Sequence, residues 1–204
     1  MKVLIVAKTH MFDRACVGAM VYDTGQSIRL LQPDCSNQPE DTPFNVGQVW
    51  DLEFRKRPNP IPPHVEDVLV LQQRYLGIQQ NLAIFLRRKI KPWVGGPSVL
   101  YQGLLRFTPS GSGYISREVG IPGCSTGYWI PDRPLRRFTT AQNKTRYRYE
   151  SNSSPVCITY VGFQPSIDVI PAGTLVRVSL ARWWAPENSE VEERCYLQLS
   201  GWYN

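Results

Sequence analysis

Between Arg133 and Arg148 the chain reads RPLRRFTTAQNKTRYR, with six cations and no carboxylate. Removing Arg133, Arg136, Arg137, Lys144, Arg146 and Arg148 from the 23 Lys+Arg leaves 17 against 17 Asp+Glu, so this segment carries the whole formal excess of +6. Guanidinium and ammonium groups at this density attract polyanions, phosphate backbones above all. The same residues also fit a solvated hairpin whose charges keep an edge strand from pairing with another chain.

The chemistry of catalysis has no comparable signal. There are two histidines. His10 lies near Lys8 and Asp13, and His64 follows Pro62-Pro63 in a proline-rich connector. Cys16, Cys35, Cys124, Cys157 and Cys195 are dispersed, with no C-x-x-C pair, so the usual zinc spacings are missing. No phosphate-binding glycine loop, dinucleotide fingerprint or nucleophile elbow occurs, and Gly111-Ser112-Gly113 reads as a turn. Asp13, Asp23, Glu53 and Asp67 would have to converge to hold a metal for phosphodiester cleavage, and nothing in their spacing requires it. The expectation is a non-enzyme with no cofactor and no metal.

Hydrophobic residues make up 42% and charged residues 20% of 204 residues, the balance of a packed protein and not of a disordered one. Seventeen Pro and fifteen Gly demand many turns and favour an all-β fold of short strands. The apolar run Val3 to Ala7 is shorter than the ~7–15 residues of a leader peptide. No run approaches the ~18 apolar residues of a membrane span. With an odd number of dispersed cysteines, this reads as a reduced, cytoplasmic, soluble chain with no membrane partner.

The elements that would position the cations follow from periodicity. KVLIVAK (2–8) reads as a buried strand and 9–15 as a loop. Strands at 16–22 and 27–32 form a hairpin about Asp23-Thr24-Gly25. Pro33 to Pro43 is a loop, 49–54 a strand, Pro58 to Pro63 an extended connector, and 68–75 a strand. Leu82, Phe85, Leu86 and Ile90 then mark one face of a helix from about 79 to 91, stopped by Pro92. Arg87, Arg88, Lys89 and Lys91 crowd its C-terminal end, where cations suit the helix dipole. Val94 to Pro97 marks a boundary. Strands are expected at 103–108 and 113–117 about a turn at 109–112, with a loop at 121–126 and a strand at 128–130. The basic segment folds as a strand pair, 136–139 with 145–150, placing Tyr147 and Tyr149 on one side and Arg146 and Arg148 on the other. A turn at 151–155 and strands at 156–163, 174–184 and 194–203 complete the chain.

Two blocks repeat in pattern. ACVGAMV (15–21) parallels VCITYVG (156–162). FNVGQVWDLEF (44–54) parallels IPAGTLVRVSL (170–180), with Gly47 on Gly173, and a last strand follows each at a similar interval. Order and spacing together suggest two related small barrels, and one eight- to ten-stranded sandwich is the rival.

The blocks VRVSLARWW (176–184), RCYLQLSGWY (194–203) and KVLIVAKTH (2–10) resemble the bacterial dual OB-containing domain family over nearly the whole chain. The resemblance implies an all-β protein of two OB-like barrels in tandem with one connecting helix. The first barrel would span 1–77, the helix and Gly/Pro linker 78–98, and the second barrel with the basic hairpin 99–204. It carries over no active-site residues. OB barrels that bind single strands combine a basic groove with aromatic platforms. The expected site is then Arg133, Arg136, Arg137, Lys144, Arg146 and Arg148 with Tyr147 and Trp184, although Tyr147 and Tyr149 also fit an inward face. Trp183 and Trp184 are adjacent, so one is expected to pack and the other to cover a barrel end. The leading function is single-stranded DNA or RNA binding. The alternatives are a protein-interaction, sensor or accessory subunit encoded beside a partner in a bacterial antiviral defence system, and a metal-dependent nuclease.

Overall fold

The computed structural model describes residues 1–151, 155–187 and 190–204. The chain divides between Lys91 and Pro92 into two compact units, so a single sandwich is excluded. The division falls inside the stretch expected as a linker. The helix belongs with the first unit and the Gly/Pro stretch with the second.

In the first unit β1 (Lys2–Met11), β2 (Arg14–Val21), β3 (Ser27–Leu31), β5 (Gln48–Lys56) and β6 (Asp67–Ile78) close a barrel, and a short β4 (Gln38–Pro39) pairs with β2. The hydrogen-bonded circuit runs β1–β2–β3–β6–β5 and back to β1, antiparallel except between β3 and β6. This is the Greek-key barrel of the OB type. Val3, Leu4, Ile5, Leu30 and Leu31 are fully buried in it. The expected loop at 9–15 is mostly ladder, because Thr9, His10 and Met11 pair with Cys16, Ala15 and Arg14. Phe12 takes a left-handed φ of 55° at the tip, a turn that Gly or Asn would have announced.

Arg29 and Asp67 are partners across the parallel β3–β6 pair. Asp67 is buried, bonded to Arg29 through two hydrogen bonds and to Arg57 Nη1 at 3.0 Å. Burial works against its ionisation, but the two arginines hold its carboxyl below the usual carboxylate range. Helix α1 (Leu82–Lys89) turns Ala83 and Leu86 inward and sets the Phe85 ring 4.7 Å from Tyr22. It is shorter than its apolar period. Asn81 is left-handed ahead of it, and Ile90 is already extended two residues before Pro92.

The second unit contains β7 (Trp93–Gly95), β8 (Arg106–Phe107), β9 (Gly113–Ser116), β10 (Thr126–Pro131), β11 (Leu135–Thr139), β12 (Thr145–Tyr149), β13 (Val156–Tyr160), β14 (Val169–Ile170), β15 (Leu175–Leu180) and β16 (Arg194–Tyr203). Its sheet runs β14-β11-β12-β13-β16-β15-β10-β7, with β9 joining β16 and β8. Only Asp132–Pro134 separates β10 from β11. Counted as one bent first strand, they pair with β15 and β12 and return the sheet on itself in the order of the first unit. The core includes Trp129, Leu135, Tyr147, Ile158, Val176 and Leu199. The strand expected at 103–108 is reduced to β8. Residues 97–103 instead turn tightly, with Tyr101 and Gln102 left-handed and Tyr101 fully buried 5.0 Å from Trp93. The turn expected at 151–155 falls largely on 152–154, outside the described residues.

Two details support the repeat. The Gly47 N–H donates to the Ile5 carbonyl at 2.9 Å, and the Gly173 N–H donates to the Pro131 carbonyl at 2.8 Å. Both glycines have positive φ, 89° and 79°, in turns that lead into β5 and β15. The second block and the final strand are therefore structurally equivalent. The first block is not. β13 runs parallel to β16 as β3 runs parallel to β6, so the counterpart of 156–162 is β3 and not β2. Alternating apolar residues make any two such strands look alike.

Candidate nucleic-acid interface

The β11–β12 hairpin pairs Leu135 with Tyr149, Arg136 with Arg148, Arg137 with Tyr147 and Phe138 with Arg146. Cross-strand partners share a face. Leu135, Tyr147 and Tyr149 are buried and define the inner side. The Tyr147 hydroxyl donates to the Ile167 carbonyl at 2.8 Å, and that of Tyr149 to Asp132 Oδ1 at 2.8 Å. Tyr147 is therefore core and presents no ring to a ligand, which removes it from the expected stacking residues. Arg136, Phe138, Arg146 and Arg148 face outward.

The six cations of the segment divide by environment. Arg137 is ion-paired with Asp168 and hydrogen-bonded to Ser166 Oγ at 3.3 Å. Arg146 is half-buried, and its Nη2 bridges Ser112 Oγ at 2.8 Å and the Cys157 carbonyl at 2.9 Å. Arg133 Nη1 donates to the Glu150 carbonyl at 2.9 Å. These three are anchored by the fold. Arg136, Lys144 and Arg148 are exposed, and among the described residues no carboxylate lies within ion-pair distance of them. Arg148 rests 5.1 Å above the Phe138 ring. Arg136 and Arg148 thus stand directly opposite each other as like charges.

The outer face continues past the hairpin. Ser112, which holds Arg146, bridges Cys157 of β13 and leads into β9. Two residues on, Tyr114 points the same way, while Gly113 and Ile115 between and beyond are buried. Tyr114 is the cross-strand partner of Tyr196, with ring centroids 6.1 Å apart. Tyr196 lies 6.2 Å from Trp184, which is 55% exposed. Trp184 and Arg194 form an antiparallel bridge with backbone hydrogen bonds of 3.0 and 2.9 Å, and the Arg194 guanidinium sits 4.0 Å over Tyr114. Trp183 turns the other way and packs partly against the core, with Arg117 4.2 Å over it. The two tryptophans therefore split as expected in that Trp183 packs against the core, while Trp184 is exposed beside Tyr196. Tyr114 and Tyr196 were missed by sequence reasoning. Tyr196 lies between the buried Cys195 and Leu197, and that alternation was the available signal.

Elsewhere, His10 is half exposed with Nδ1 3.6 Å from Glu40, and His64 is buried. Among the described residues, no three His, Cys, Asp or Glu are grouped to hold a metal ion, and no helix is long and apolar enough to cross a membrane. At the basic end of α1, Lys89 Nζ donates to the Asp23 carbonyl at 3.3 Å.

No curated protein matches the chain. A solved structure described as "Structural mimicry for functional antagonism" is similar over 98% of this chain and 86% of its own, at 11% identity and a TM-score of 0.36, a likeness too low to carry an argument. The model of the family described as "Dual OB-containing domain" matches residues 1–202. With the barrel circuits above, the chain belongs to the dual OB-containing domain family.

Proposed function

We propose that this is a non-catalytic nucleic-acid-binding protein that favours single strands, and that it grips the phosphate backbone with Arg136, Lys144 and Arg148 on the outer face of its second barrel. One observation carries the proposal. Two exposed arginines are held opposite each other with no counter-carboxylate among the described residues, an arrangement that weakens a sheet. A bound polyanion relieves that repulsion. The neighbouring aromatic surface supports a single strand over a duplex, since stacking needs unpaired bases.

The test is charge reversal. Arg136→Glu with Arg148→Glu abolishes oligonucleotide binding while lowering the thermal midpoint only slightly, because it replaces one like-charge pair with another and loses only the Arg148–Phe138 stack. An acidic protein partner would use the same cations. It is distinguished by affinity that does not grow with oligonucleotide length. Undiminished oligonucleotide binding by the double variant would sink the proposal.

A further inference from the structure

Assuming that the second barrel binds nucleic acid on this face, we infer that Trp184 and Tyr196 form a base-stacking platform that confers selectivity for unpaired nucleotides. Tyr114 and Arg194 flank the platform.

Trp184 keeps more than half its surface in water, yet its backbone is pinned by both hydrogen bonds of the bridge to Arg194. A ring exposed on a fixed backbone is preorganised for a ligand and loses little freedom on binding one. Tyr196 and Trp184 are tilted by 57° at 6.2 Å, so they are not stacked face to face on each other. Tyr114 is committed differently. Arg194 covers one of its faces at 4.0 Å, and Glu192 holds Arg194 in turn at 3.5 Å. The Arg194–Tyr114 stack lies beside Tyr196, with the Tyr114 and Tyr196 ring centroids 6.1 Å apart.

The platform joins the cations without a break. Arg146 bonds to Ser112, and Tyr114 lies two residues further along the same face, about 6–7 Å on. A strand whose phosphates meet Arg136 and Arg148 reaches the rings within a few nucleotides. In a duplex the base faces are already stacked, so a duplex meets only the cations.

The experiment uses the full chain and fluorescence anisotropy with three labelled probes: a single-stranded oligothymidylate, an abasic chain of equal length, and a duplex. Wild type should bind oligothymidylate more tightly than the abasic chain. Trp184→Leu or Tyr196→Leu should each weaken oligothymidylate binding roughly 5- to 150-fold, equivalent to the ~1–3 kcal/mol of a stacked base. The abasic and duplex affinities and the salt slope should not move. Quenching of tryptophan fluorescence by oligothymidylate should shrink in Trp184→Leu. Equal wild-type affinity for oligothymidylate and the abasic chain overturns the platform, and that comparison needs no variant to fold. If both aromatic variants bind as wild type while Arg136→Gln binds more weakly, the platform falls and the cationic face stands. If no probe binds, both fall.

Discussion

Arg136→Gln should make the protein slightly more stable and a poorer ligand-binder at once. Arg136 faces Arg148 directly across the β11–β12 ladder, with no carboxylate among the described residues within ion-pair distance of either. Like charges so placed destabilise a sheet by about 0.2–1 kcal/mol. Removing one should therefore raise the thermal midpoint of the ligand-free protein by on the order of 1–4 °C. The same change deletes one phosphate contact. At about 0.7 per phosphate for a single strand, the slope of log K against log salt should fall by ~0.7, and affinity at ~0.15 M salt by about fourfold. Arg148→Gln serves as the internal control. It loses the stack on Phe138 at 5.1 Å, worth about 0.5–1 kcal/mol, so its gain from relieved repulsion is cancelled while its binding defect is the same. Differential scanning calorimetry without ligand and anisotropy across a salt series measure the two effects. A midpoint that falls by several degrees in Arg136→Gln, or an unchanged salt slope, would refute the reasoning.

Further outcomes follow from the two barrels taken separately. Asp67→Asn should cost about 3–5 kcal/mol in urea denaturation, because it breaks a buried pair and strands Arg29. The Asp67 carboxyl is held below its unfolded value of ~3.9. Its contribution is therefore complete above that value and lost as pH falls through the lower, folded-state value. Wild type should lose that stability in acid, and Asp67→Asn should lack that part of the slope. Gly47→Ala and Gly173→Ala should cost similar amounts, ~1 kcal/mol each, since both have positive φ and an added Cβ meets nothing within 4 Å. Gly111→Ala should cost more, because its Cβ would lie 2.2 Å from the Pro155 carbonyl oxygen. Burial pushes the Cys195 thiol up to about 12, so a thiol reagent at neutral pH should leave Cys195 unmodified until denaturant is added. Rapid native labelling of Cys195 would contradict its burial.

What could be read in advance follows from what is local. The helix was legible because Leu82, Phe85, Leu86 and Ile90 are set by one period, and the Gly47–Gly173 match because each glycine precedes a similarly patterned strand. The alternation TRYRY showed that Tyr147 and Arg148 face opposite ways. It did not show which face was the core, and that decided the fate of Tyr147. The sorting of the cations was beyond reach for the same reason. Arg137 and Arg146 are held by Asp168, Ser112 and Cys157, residues 31, 34 and 11 positions away. The Tyr114–Tyr196 pair joins strands from opposite ends of the second unit. β7 was missed because Trp93–Gly95 is too short to show a period, and it exists only through parallel pairing with β10.

Anisotropy of the wild-type protein with oligonucleotides of about 20 nucleotides tests nucleic-acid binding most directly. The probes are single-stranded DNA, single-stranded RNA, duplex DNA and heparin, each at low and physiological salt. The expected result is saturable binding to a single strand that survives physiological salt, with duplex and heparin weaker and a salt slope of about 0.7 for each phosphate held. Equal binding to every probe at low salt and to none at physiological salt would contradict it, reducing Arg136, Lys144 and Arg148 to a charged surface without a nucleic-acid ligand.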